Sequence, residues 1–130
     1  MSVNDSPRSI ATPQAPAAIG PYSQGVIAGN LLFISGQLPL DPETGKFVAG
    51  GIEEHTHQCL KNLKAIAEAA GSSLKRAVKV TVFLTNMEDF ACVNQVYAQY
   101  FSDNLPARSA FQVAALPKNA DIEIEAIINI

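Results

Sequence analysis

The chain is short of charge. Asp, Glu, Lys and Arg make up 16% of its 130 residues, against about a quarter in an ordinary soluble domain. Hydrophobic residues reach 48%. A surface this poor in charge predicts burial between subunits, because lasting interfaces resemble a core cut in half. The charges present sum to −3, with a pI of about 5.2. Gripping a phosphate backbone takes clustered Lys and Arg, so no nucleic-acid partner is expected. Long apolar runs are also missing. No stretch approaches the roughly 20 residues of a membrane span, so no membrane partner is expected. Met1–Gln14 has no apolar core of a signal peptide, which predicts a cytoplasmic protein. One Arg and two Pro in that segment leave a mitochondrial presequence as the alternative.

Reactive groups are few. The cysteines are Cys59 and Cys92; they form no CxxC pair and read as small buried thiols. Gly50-Gly51 is the only glycine pair and lacks the spacing of a phosphate-cradling loop. His55 and His57 stand two apart in a helical pattern, where neighbours do not share a face. They read as solvated helix-surface histidines. No metal and no cofactor are expected, and no Ser-His-Asp set is supported by spacing.

What is present is punctuated periodicity. The length fits a single domain over 1–130, with residues 1–16, rich in Pro, Ser and Ala, as an irregular arm. Val26–Ala28 and Leu31–Ser35 are short apolar runs separated by Gly29-Asn30, a hairpin signal. From Ile52 to Ala70 the apolar residues recur at three- and four-residue steps, and Gly71 follows as a cap. Val78, Val80, Val82 and Leu84 alternate as a strand. Asn86 caps a second helix with Phe90, Val93, Asn94, Tyr97 and Phe101 on one face. Ser109–Ala115 and Ile122–Ile130 read as strands around a turn containing Pro117. The order β-β-α-β-α-β-β predicts an α+β two-layer domain, a mixed sheet with two helices on one face.

Pro106-Ala107-Arg108-Ser109, followed fifteen residues later by Glu123, stands out. An Arg opening an apolar strand is costly to bury without an acidic partner or an anionic ligand. Its planar fork suits a carboxylate. Glu123 and Glu125 alternate with Ile122 and Ile124, so both carboxylates point to one face. Three readings fit: an acidic stripe guarding an edge strand, a structural Arg108–Glu123 pair, or a catalytic pair.

The chain resembles the RidA/YjgF family of reactive-intermediate deaminases. The resemblance rests on Ala17–Gln24, Ser35-Gly36-Gln37, Lys79–Phe83, and Phe90, Asn94 and Tyr97. It continues through Pro106–Ser109, Val113–Lys118 and Ile122–Ile127, and covers roughly residues 11–128. It implies a chorismate-mutase-like fold and a homotrimer with active sites in the clefts between subunits. The implied reaction is hydrolysis of 2-imino and 2-enamino acids to 2-keto acids and ammonia, without cofactor. The substrates would be 2-aminoacrylate, 2-iminopropanoate and 2-iminobutanoate. In the family, the arginine matching Arg108 holds the substrate carboxylate and the glutamate matching Glu123 handles the attacking water. The tyrosine matching Tyr22 lines the site, as do positions matching Ser35, Gly36 and Asn94. Many relatives carry cysteine where this chain has Ala110, so no thiol role exists there. A guanidinium beside Glu123 would lower its pKa, and burial would raise it. A trimeric binder of 2-keto acids would carry the same residues, and relatives have also been described as translation inhibitors or ribonucleases.

Overall fold

The computed structural model describes residues 6–130; Met1–Asp5, the start of the expected arm and presequence, lie outside the described residues. Among the described residues, six strands form one sheet in the order β1-β2-β3-β6-β4-β5. The strands are β1 Arg8–Ile10, β2 Gly25–Ala28, β3 Leu31–Gln37, β4 Ala77–Leu84, β5 Ala107–Gln112 and β6 Ile122–Asn129. The helices α1, Ile52–Ala69, and α2, Phe90–Tyr100, follow β3 and β4. All pairings are antiparallel except β4 with β5, which the crossover through α2 makes parallel. This is the expected α+β two-layer arrangement.

The apolar periodicities set which way each element faces. Val80, Val82 and Leu84 of β4 and Ile122, Ile124 and Ile128 of β6 are buried in the core between sheet and helices. From α1 come Cys59, Leu60, Leu63 and Ile66, one stripe at helical spacing, and from α2 Val93 and Val96. Each such aliphatic side chain contributes about 1.5–3 kcal/mol on burial. The Gly29-Asn30 hairpin forms as predicted: Ala28 pairs with Leu31, and Gly29 takes φ +63°. Asn86 caps a 3₁₀ turn, Met87–Asp89, that leads directly into α2, its side chain accepting from the Glu88 N–H at 2.9 Å. Among the described residues, no helix is long and apolar enough to cross a membrane.

Three expectations are corrected. The arm is not wholly irregular, because β1 pairs with β2 and makes the order β-β-β-α-β-α-β-β. Gln24, 4% exposed, fastens the segment behind β1. Its Oε1 accepts from the Thr12 N–H at 2.7 Å, and its Nε2 donates to the carbonyls of Thr12, Ala15 and Pro16. Three residues are too few to display a period, so main-chain pairing decides. The strand read as Ser109–Ala115 runs from Ala107 to Gln112, because β4 supplies partners only from Lys79 to Leu84. Finally, β6 is not an edge strand but lies between β3 and β4, which removes the edge-guarding reading of Glu123 and Glu125.

The helices cover one face of the sheet. On the other face Phe33 and Phe111 stand 43% and 51% exposed, beside Lys79, Thr81, Phe83 and Glu125.

Candidate active site

Glu123 follows Ile122 at the start of β6. Because Ile122 and Ile124 point into the core, Glu123 points to the open face, across from Phe83. Beside it β3 carries a register shift between Ile34 and Gln37. Gly36 sits in that irregularity, and a Cβ built there would overlap the Glu123 carboxylate. Glycine leaves the space that the Glu123 side chain occupies in its present position beside β3. Burial pushes the Glu123 pKa above its ordinary 4.5, and the neighbouring Glu125 carboxylate pushes it further up.

The carboxylate lines a cleft of about 610 Å³ with Ser35, Gly36 and Tyr22. Ile19, Leu38 and Leu40 make an apolar wall, and Pro117 and Lys118 face it from the turn before β6. The Ser35 hydroxyl donates to the Ser23 carbonyl at 2.6 Å, so its hydrogen is spent holding the segment that presents Tyr22. Tyr22 itself is 54% exposed.

Arg108 lies elsewhere. On β5 it pairs in register with core-facing Val80, and its side chain reaches the α2 side of the sheet. Nη1 donates to Asn94 Oδ1 at 2.7 Å. The guanidinium carbon lies 4.8 Å from the Tyr97 ring centroid and 5.3 Å from that of Phe90. Both distances are within cation–π range. No carboxylate pairs with Arg108 among the described residues, where the one basic side chain within 4.0 Å of a carboxylate is His55, beside Asp121. The Tyr97 hydroxyl is buried without a hydrogen-bond partner, and burial raises its pKa, partly offset by Arg108.

The predicted site residues therefore fall into two groups. Tyr22, Ser35, Gly36 and Glu123 meet in the cleft, while Arg108 and Asn94 meet on α2. The groups face opposite sides of the sheet, with β4 between their strands, so one chain cannot join them. This overturns the structural Arg108–Glu123 pair. It also removes, within a chain, the expected lowering of the Glu123 pKa by Arg108. The histidines are corrected too. His55 Nδ1 is 2.8 Å from Asp121 Oδ1, and His57 Nδ1 is 2.8 Å from the Tyr100 hydroxyl. Among the described residues, no group of His, Cys, Asp and Glu is placed to hold a metal. Sequence reasoning gave Leu38, Leu40 and Lys118 no part in the site. Lys118 and Asn119 take φ +58° and +59°. Asn favours that region, but nothing marks Lys118 for it.

The family model described as endoribonuclease L-PSP matches residues 12–130. The chain is 52% identical to human 2-iminobutanoate/2-iminopropanoate deaminase, over 92% of this chain and 88% of that protein. A putative endoribonuclease from Thermotoga maritima is 59% identical and superimposes with a TM-score of 0.93, covering 95% of this chain and 97% of that one. TdcF of E. coli, solved with bound serine, is 46% identical, with a TM-score of 0.90 and coverage of 95% and 98%.

Proposed function

This chain belongs to the endoribonuclease L-PSP family, the RidA/YjgF proteins, and from that premise we propose that it is a deaminase hydrolysing 2-imino and 2-enamino acids to 2-keto acids and ammonia. The observation that carries the reading is the separation of its two charged groups. Arg108 is stacked and oriented with no acid partner among the described residues, and Glu123 lies in a cleft with an apolar wall. One is a receptor for a carboxylate, the other a base for water. A substrate with an anionic end and an electrophilic carbon uses both.

They meet if copies of the chain pack around a common axis, Arg108 of one subunit closing the Glu123 cleft of the next. We assign a homotrimer. The uncovered sheet face, with Phe33 and Phe111 exposed, supports burial by further copies. So does the low charge content.

In this assembly Arg108 holds the substrate carboxylate through two charge-assisted hydrogen bonds, on the order of 1.5–3 kcal/mol each. Glu123 accepts a proton from water as the oxygen bonds to the imine carbon. The C=N π electrons go to nitrogen, which takes a proton. The carbinolamine then collapses: its hydroxyl gives up its proton, the amine nitrogen takes one up, a C=O bond forms as the C–N bond breaks, and ammonia leaves. Burial and Glu125 raise the Glu123 pKa within its own chain, which favours proton uptake, and the guanidinium brought in by the next subunit opposes that rise. Ile19, Leu38 and Leu40 suit a short alkyl side chain. The serine bound to TdcF supports a small amino-acid-like ligand. The ribonuclease activity in the family's name has less support here: both histidines are engaged by neighbours, and the chain carries a net charge of −3.

The test is a coupled assay. A pyridoxal-phosphate serine or threonine dehydratase generates the enamine in place, and keto-acid release is followed with and without this protein. Release is expected to accelerate, and Arg108→Ala to remove the acceleration while assembly survives. Equal release with and without the parent protein would overturn the deaminase and leave a carboxylate binder, which a 2-keto acid titration would detect.

A further inference from the structure

The cleft has two walls built from separate segments. One is the segment after β3, carrying Leu38 and Leu40; the other is the turn before β6, carrying Pro117 and Lys118. Both are fastened from α1. Asn62, 1% exposed, donates from Nδ2 to the carbonyls of Leu38 at 3.2 Å and Leu40 at 3.0 Å. Two turns earlier on the same helix, the His55 ring lies between the two walls. Its Nδ1 is 2.8 and 2.9 Å from the two oxygens of Asp121, which closes the second wall. Its Nε2 is 3.1 Å from the Val48 carbonyl, in the first wall. Phe47, next to Val48, forms a backbone bridge with Leu40.

Both ring nitrogens of His55 thus face acceptors. A neutral imidazole has one N–H and serves only one of them; the imidazolium serves both. The bond to the Asp121 carboxylate is charge-assisted and the stronger, so the neutral ring keeps Asp121 and releases Val48. The charged groups facing His55 are Asp121, ahead of β6, and Glu54, on α1, whose carboxylate accepts from the Gly51 N–H at 2.8 Å. The wall segment presents the Val48 carbonyl and the Phe47 ring, 6.2 Å away between centroids.

We infer that His55 is a positioning residue, a proton-dependent clasp joining the two walls of the Glu123 cleft. Its consequence for turnover rests on the deaminase reading, but the clasp itself is measurable without substrate. The His55 ring resonance of the intact protein is followed against pH by NMR, with His57→Gln assigning the histidine signals. Amide hydrogen exchange is measured over residues 41–48, corrected for intrinsic rates. Protection at the Val48 N–H, which donates to Pro39, and at the Asp41 N–H, which donates to Lys46, reports the wall. As pH rises through the His55 titration, protection there is expected to fall about fivefold, the weight of one neutral hydrogen bond. Amides of α1 should hold theirs. His55→Gln should show the lower protection at every pH. Constant protection in the parent across the His55 titration would overturn the clasp. So would an equal fall in His55→Gln.

Discussion

Two regions of the same sheet handle a charged side chain in opposite ways. On the α2 side, Arg108 is given ring faces and one amide oxygen but, among the described residues, no carboxylate. On the open side, Glu123 is given a backbone to lie beside and a second carboxylate nearby, but no cation is paired with it among the described residues. Rings and an amide orient a guanidinium without neutralising it, which keeps its charge available to an anion. Partial burial beside Glu125 does the reverse, holding a carboxylate where its ionised form is disfavoured and basic. Each region lacks what the other has, and the sheet between them prevents them from meeting within one chain.

The comparison breaks most sharply under subunit mixing. Arg108→Ala and Glu123→Gln should each lose about two or more orders of magnitude in turnover, since one removes the carboxylate grip and the other the base. Unfolded and reassembled together in equal amounts, the two inactive variants should regain about a quarter of the parental sites, those receiving both intact residues across a head-to-tail contact. No recovery from mixed assemblies would mean that the two groups do not share a site.

Gly36→Ala attacks only the Glu123 side. The added methyl overlaps the carboxylate, so the side chain must leave the β3 backbone. Overpacking of this kind costs about 1–3 kcal/mol. Turnover should fall by about tenfold or more while the Arg108 region keeps its 2-keto acid affinity, as a binding titration would show. Parental turnover in Gly36→Ala would show that Glu123 does not need its present position.

Glu125→Gln tests the electrostatics. In the proposed reaction Glu123 acts ionised, so activity should fall as pH drops through its pKa, which burial and Glu125 raise. Removing the Glu125 charge removes one cause of that rise, and the acid limb of the pH–rate profile should move to lower pH. A limb that stays in place assigns the rise to burial alone. Stability runs the opposite way. A carboxyl group whose folded pKa is raised favours the folded state below its unfolded pKa, and that contribution is lost as pH rises through the folded value.

The smallest effect belongs to the Arg108 side. Tyr97→Phe removes a buried hydroxyl that has no partner and keeps the ring under the guanidinium. A gain of about 1 kcal/mol in denaturant unfolding is expected, with turnover near parental. Lost activity would instead make that hydroxyl part of the chemistry.

Much of the fold was legible because burial writes a period into the chain. Ile52–Ala70 shows a helix and Val78–Leu84 a strand, since the core admits only one stripe of each. β1 was not legible, because three residues held by pairing and by Gln24 leave no pattern. Of the site, the residue types and the shared direction of Glu123 and Glu125 were readable, and the resemblance supplied roles. The clasp of His55 on Asp121 and Val48 was not, because it joins residues 66 and 7 positions apart by tertiary approach.

By itself the sequence determined the α+β class, the helix and strand faces, and the family through its ordered motifs, because side-chain periodicity and turn residues act locally. Only the tertiary structure decided that β6 is central, that Gly36 must yield its side-chain space to Glu123, and that Arg108 and Glu123 face away from each other. Those facts depend on strand order and register, which arise from contacts between distant segments and leave no period along the chain.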